Sequence, residues 1–163
     1  MIILSWNCRR LGNLRTVQEL DQLVKEKRPN LVFLMETKLC KGKMERIRIK
    51  LKFRNMFVMD NIGKSNGLAL FWEDECKAEI QNYSQRHINA IINNHHGHME
   101  WKFTGFYGHP DASKRGKVWN LLKALALLNP EPWMCIRDFN EVLMESKKIR
   151  GNTHRHNLIQ AFR

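Results

Sequence analysis

Leu31-Val32-Phe33-Leu34-Met35-Glu36 is the stretch that decides the architecture. Five apolar residues in a row, too few for a helix and closed by a carboxylate, read as a strand buried on both faces. Such a strand needs a layer of structure on each side, and short apolar runs alternating with helical patterns along the chain put it in the α/β class. Upstream, Pro29 ends a helix that presents Val17, Leu20, Leu23 and Val24 on one face. Thr16-x-x-Glu19 reads as the capping box that opens it. A strand from Ile2 to Trp6 precedes that helix. Downstream come a basic helix around Met44 to Leu51 and strand-like runs at Phe57 to Met59, Leu68 to Trp72, Ala78 to Tyr83, His87 to Ile92 and Met99 to Tyr107.

The later chain continues the same alternation. Asn93-Asn94-His95-His96-Gly97-His98 has turn chemistry and predicts an antiparallel hairpin. Val118, Leu121, Leu122, Leu125 and Leu128 mark a helix closed by Asn129-Pro130, and Trp133 to Ile136 reads as a second buried strand that delivers Asp138. Leu158, Ile159 and Phe162 suggest a short final helix. With no repeat, linker or low-complexity segment, residues 1–163 are expected to form one α/β domain with mixed strand order. The chain stops in a helical pattern, so that domain is expected to be interrupted.

Composition narrows the function classes. The 163 residues are 43% hydrophobic, with five Trp and eight Phe, which is material for a real core and argues against disorder. The formal charge of +12, from 28 Lys and Arg against 16 Asp and Glu, favours polyanionic partners, nucleic acid first. Cys8, Cys40, Cys76 and Cys135 form no C-x-x-C pair, so neither a zinc site nor a disulfide framework is signalled. No apolar run approaches the roughly 20 residues that cross a bilayer, and the opening residues do not make a signal peptide. The expectation is a nuclear or cytoplasmic protein with no membrane association.

Three strands end in a polar residue: Trp6-Asn7, Met35-Glu36 and Ile136-Arg137-Asp138-Phe139-Asn140. Strand ends are where a rigid sheet aims side chains into a shared cleft. A hard divalent cation takes oxygen ligands, one or two carboxylates with waters and substrate phosphate, and Glu36 and Asp138 with the amides of Asn7 and Asn140 would supply them. Taken singly, each of these residues is as readily a turn cap facing water. The histidines at 95, 96 and 98 lack a matching cysteine or carboxylate and read as a solvated turn. The run Lys38, Lys41, Lys43, Arg46, Arg48, Lys50, Lys52 and Arg54 is either a track for a phosphate backbone or a solvated helix face.

In their contexts the polar strand ends become specific. Ser5-Trp6-Asn7-Cys8-Arg9, Met35-Glu36-Thr37-Lys38, Gly105-Phe106-Tyr107-Gly108-His109-Pro110 and Asp138-Phe139-Asn140-Glu141, in that order, resemble the successive motifs of the endonuclease/exonuclease/phosphatase superfamily. The chain resembles still more nearly the endonucleases of plant LINE-type retrotransposons, from Ile3 to the Lys147-Lys148 region. The resemblance implies a four-layer sandwich of two mixed β-sheets flanked by helices, the second sheet incomplete here. It implies a DNA-nicking, magnesium-dependent phosphodiesterase, with manganese as a substitute metal, that binds DNA mainly through phosphates and leaves a 3′-hydroxyl able to prime reverse transcription. By the same resemblance Glu36 is the metal ligand and Asn7 its organiser, and Tyr107 contacts the scissile phosphate. Asp138 orients or deprotonates the attacking water, and Asn140 donates to phosphate oxygens. His109 would be an orienting residue at most.

The departures are equally specific. The resemblance leads one to expect a late Ser-Asp-His or Asp-His motif, which these residues lack; His154 and His156 follow no aspartate and are not substitutes. Arg10 and Arg137 stand where the family usually has glycine. Either is expected to strain a tight backbone, and Arg137 to pair with Asp138 and compete with its work. The alternatives to an enzyme are a catalytically inactive, basic nucleic-acid-binding remnant and an unselected fragment.

Overall fold

The computed structural model describes residues 1–60, 67–94, 100–108, 115–127 and 132–138. The elements run β1 (Ile3–Asn7), α1 (Leu14–Lys27), β2 (Leu31–Met35), α2 (Lys41–Leu51), β3 (Asn55–Met59), β4 (Leu68–Trp72), β5 (Cys76–Ser84), β6 (His87–Asn94), β7 (Glu100–Tyr107), α3 (Arg115–Leu127) and β8 (Trp133–Asp138). They build two four-stranded mixed sheets, ordered β1-β2-β4-β3 and β5-β6-β7-β8. The expected final helix at Leu158 to Phe162, and the tip of the β6–β7 hairpin with His95, His96 and His98, lie outside the described residues.

β2 is buried at every position, as its unbroken apolar run predicts. Alternation then divides it between two cores. Leu31, Phe33 and Met35 meet Leu68, Leu70, Ile88 and Phe103 between the sheets, whereas Val32 and Leu34 join Leu20, Met44, Ile47 and Leu51 beneath α1 and α2. Each fully buried Leu or Phe contributes about 1.5–3 kcal/mol, so this one strand cements three layers. The sheets come close at Gly105, where a Cβ would stand 2.5–2.7 Å from the Phe33 ring. Only a hydrogen fits there, and Phe33 packs edge-on against Phe103 at 5.9 Å.

The outward face of the second sheet is also buried, at His87, Asn89, Lys102, Thr104 and Phe106. A crossover between the parallel strands β7 and β8 must pass over one face of their sheet, and the inner face is filled. α3, in which Leu125 is buried, lies in the crossover between these two strands. The polar groups on this outward face are linked: Trp133 Nε1 donates to Thr104 Oγ1 at 2.9 Å, and Thr104 donates to Asn89 Oδ1 at 3.0 Å.

Two helix starts differ from expectation. α1 begins at Leu14 because Asn13, a better-placed cap than Thr16, accepts the Arg15 N–H at 3.0 Å, and Glu19 pairs instead with Arg15. α2 begins at Lys41, three residues before Met44. Its N-cap, Cys40, makes no side-chain bond, and Asp60 Oδ1 reaches across from beyond β3 to accept the Lys41 N–H at 2.8 Å. No helix among the described residues is long and apolar enough to cross a membrane, and all four cysteines are free thiols.

Candidate active site

Each sheet contains one parallel pair, and parallel strands finish at the same sheet edge. β1 and β2 pair so that Asn7 stands opposite Met35, and β7 and β8 so that Tyr107 stands opposite Asp138. Met35 and Tyr107 both belong to the inter-sheet core, so the C-terminal ends of the two pairs face each other. Four residues separated by up to 131 positions of chain thereby meet.

Asn7 is their hub. Its Nδ2 donates to Glu36 Oε1 at 3.0 Å and to Asp138 Oδ2 at 2.8 Å, while its Oδ1 accepts the Arg9 N–H at 3.1 Å. With one nitrogen serving both carboxylates, the two acceptor oxygens lie within about 6 Å of each other. Tyr107 Oη donates to the same Glu36 Oε1 at 2.6 Å. Glu36 Oε2 keeps only a distant companion among the described residues, the Lys38 ammonium at 3.9 Å, and the Glu36 side chain is 18% exposed. The result is a half-buried carboxylate with one oxygen saturated by donors and the other turned towards a cation.

The backbone here is held in unusual conformations. Arg9, Glu36 and Lys38 all have positive φ, at 49°, 54° and 53°. For residues with a Cβ this costs free energy and persists only where the surroundings enforce it. The enforcing bonds are Cys8 N–H to Met35 O, Leu11 N–H to Thr37 O and Thr37 N–H to Gly67 O, each at 3.1 Å. Gly67 has φ +95°, and a Cβ there would collide with Thr37 Oγ1 and approach Lys38 N at 3.0 Å. Thr37 is fully buried, and its hydroxyl has no hydrogen-bond partner among the described residues.

The donor set suits a hard cation rather than a nucleophilic or soft-metal site. The Cys8 thiol donates to Met35 O at 3.0 Å; burial, with the Glu36 carboxylate adding to it, pushes its pKa up to about 12, so it is no thiolate. Among the described residues no three His, Cys, Asp or Glu side chains gather as an all-protein metal cage. A magnesium ion does not require one, since it keeps several waters and takes one or two carboxylates plus phosphate. Glu36 Oε2 and the neighbouring Asp138 carboxylate fit that description.

Of the residues picked out by sequence, Asn7, Glu36, Tyr107 and Asp138 come together; Asn140 and His109 lie outside the described residues. The structure bears on three further expectations. Arg137 is next to Asp138 on β8, so strand alternation sends it to the opposite face, the one shared with Phe106. Neither Arg10 nor Arg137 has positive φ; the strained position of the first motif is Arg9. Within the basic run, Arg48 is turned to structural use. It donates to the carbonyls of Phe53 and Arg54 and pairs with Glu45, which ties the end of α2 to the chain that follows.

Sequence reasoning passed over Arg86, whose guanidinium carbon sits 5.5 Å from the centre of the Tyr107 ring. It also passed over Gly67 and Thr37. A glycine directly before a buried strand was the one available signal for the latter; Arg86 had none, because its contact depends on hairpin register.

No family model matches this sequence, and no curated protein matches it. Solved structures do resemble it. An AP endonuclease from Archaeoglobus fulgidus superimposes with TM-score 0.72 over 99% of this chain and 68% of its own, at 13% identity. An endonuclease/exonuclease/phosphatase family protein from Bacteroides thetaiotaomicron gives 0.62 over 85% and 62%, at 13% identity. The endonuclease domain of TRAS1, a telomere-specific non-LTR retrotransposon, gives 0.59 over 85% and 58%, at 12% identity. The chain thus spans about three fifths to two thirds of the length of these solved proteins. At such identities the likeness is one of architecture: the chain has the fold of the endonuclease/exonuclease/phosphatase proteins.

Proposed function

We propose that this chain is part of a divalent-metal-dependent phosphodiesterase domain that nicks DNA, and that it derives from a LINE-type retrotransposon of the plant kind. The observation that carries the reading is the shared amide of Asn7, which holds Glu36 and Asp138 side by side at the mouth between two sheets. The order of the motifs around those residues supports the retrotransposon assignment, and the formal charge of +12 supports a DNA partner met through its phosphates.

A bound magnesium ion, or manganese in its place, would offset the negative charge that a phosphodiester gains on attack by water. Glu36 would hold it through Oε2, with Oε1 locked by Asn7 and Tyr107. Asp138, steadied by Asn7, would orient the attacking water and accept its proton. The Tyr107 hydroxyl donates to Glu36 when substrate is absent and can turn to a phosphate oxygen when it is present. Asn140, two residues beyond Asp138, is assigned to phosphate oxygens. Lys38 adds a cation beside the same carboxylate.

A second reading, nucleic-acid binding without turnover, is favoured by one observation: the formal charge of +12 serves phosphate binding whether or not the site turns over. Incubating supercoiled plasmid with the protein and magnesium separates the readings. Nicking that needs magnesium and disappears in Glu36→Ala is expected. Salt-sensitive DNA binding with no nicking selects the second reading, and nicking that survives Glu36→Ala removes Glu36 from its proposed role.

A further inference from the structure

We propose that Arg86 is a positioning residue that holds Tyr107 against Glu36. The inference rests on reading Tyr107 and Glu36 as site residues, and the contacts themselves come from the β5–β6 hairpin. That hairpin turns through Gln85 and Arg86 between Ser84 and His87. The Arg86 carbonyl accepts the Tyr107 N–H at 2.7 Å, and its guanidinium carbon lies 5.5 Å from the Tyr107 ring centre. Arg86 therefore grips Tyr107 at backbone and ring while the hydroxyl donates to Glu36 Oε1 at 2.6 Å. A cation facing an aromatic ring is attracted by its quadrupole, and more strongly when both are withdrawn from water. Arg86 is half-buried, and burial pulls its pKa below the ordinary arginine value while Tyr107 opposes that shift.

The turn that presents Arg86 is itself braced. Ser84 Oγ accepts the Arg86 N–H at 3.1 Å and meets His87 Nδ1 at 2.7 Å, and His87 Nε2 meets Asn82 Oδ1 at 2.8 Å. Asn82 reaches His87 because β5 bulges between Ile80 and Asn82, which puts Asn82 on the same outward face as His87. His87 is buried and points outward, so Arg86, one residue earlier, is left on the Tyr107 side. A turn with this many internal bonds to side chains presents its arginine in one orientation, as a positioning group requires.

The test is a kinetic cycle with a spectroscopic arm. In magnesium-dependent plasmid nicking, Arg86→Met, which keeps the aliphatic stem and removes the charge, should lower kcat about 5- to 30-fold and leave KM within about twofold. Arg86→Lys should restore most of the loss, and in a Tyr107→Phe background Arg86→Met should cost less than about twofold. A raised KM with kcat retained would mean that Arg86 contacts substrate directly and would overturn the proposal. So would an undiminished penalty in the Tyr107→Phe background. The second arm does not depend on turnover. The protein has two tyrosines, so Tyr83→Phe leaves Tyr107 as the sole ring signal in tyrosine-labelled protein. Arg86→Met should shift that signal, and an unmoved one overturns the proposal. If the ring signal shifts but the unmodified protein never nicks DNA, the positioning contact stands and the nuclease reading falls.

Discussion

Asn7 Nδ2 donates to Asp138 Oδ2 at 2.8 Å, joining the first strand of one sheet to the last described strand of the other. Because the same nitrogen serves Glu36, a neutral amide lies between two carboxylates that would otherwise face each other across a small gap. Asn7→Asp would put a third negative charge there. It should lower the melting temperature in chelator and enlarge the stabilisation produced by added magnesium, as thermal melts with and without the ion would show. Asn7→Leu removes the donor outright and should cost about 1–3 kcal/mol of stability through the two hydrogen bonds lost to Glu36 and Asp138. Asn7→Asp melting like the unmodified protein in chelator would count against the shared-amide account.

Gly67 and Thr37 make a prediction about metal affinity at a position that touches no metal. Alanine at 67 would be strained at φ +95° and would drive into Thr37, the residue that follows Glu36. Gly67→Ala should therefore weaken magnesium-induced thermal stabilisation by more than it lowers the melting temperature in chelator. Calorimetry in the two conditions checks this, and equal losses in both would place Gly67 in folding alone.

His87 makes stability depend on pH. Burial lowers its pKa from the ordinary 6.5, so the unfolded chain takes up a proton before the folded one does. As pH falls through about 6.5, stability is expected to decline, and the decline levels off below the depressed folded value, where both states are protonated. The advantage of the unmodified protein over His87→Gln should be full at pH 8 and shrink on acidification, measured by denaturant midpoints across the range. A constant difference would show that the ring does not titrate differently on folding.

The basic run should divide by function. Lys41 and Lys43 are exposed at the start of α2, five and seven residues after Glu36, whereas Arg48 is bonded to Glu45 and to two carbonyls. Replacing Lys41 and Lys43 together with Gln should lower DNA affinity at low salt and reduce the salt slope by about two, with the melting temperature kept. Arg48→Gln should do the reverse. Filter binding across a salt series, beside thermal melts, separates the two, and loss of affinity in Arg48→Gln alone would invert the assignment.

The sequence by itself determined the layers and the composition of the site. An unbroken apolar run can be satisfied only by burial on both faces, so Leu31 to Met35 implied a layer of structure on each side; the structure puts the helices on one and the second sheet on the other. Residue type and position at strand ends singled out Asn7, Glu36, Asp138 and Asn140, and the resemblance of the surrounding motifs added Tyr107. Alternation along β8 already separated Arg137 from Asp138, since adjacent strand residues point apart. The tertiary structure alone decided which ends meet. Whether two strands run parallel, and so bring their C-terminal residues to one edge, depends on pairing between segments as far apart as Tyr107 and Asp138. The grip of Arg86 on Tyr107 depended on hairpin register and on one extra residue in β5, because a single-residue bulge reverses every side chain beyond it and no local pattern records where the partner strand lies.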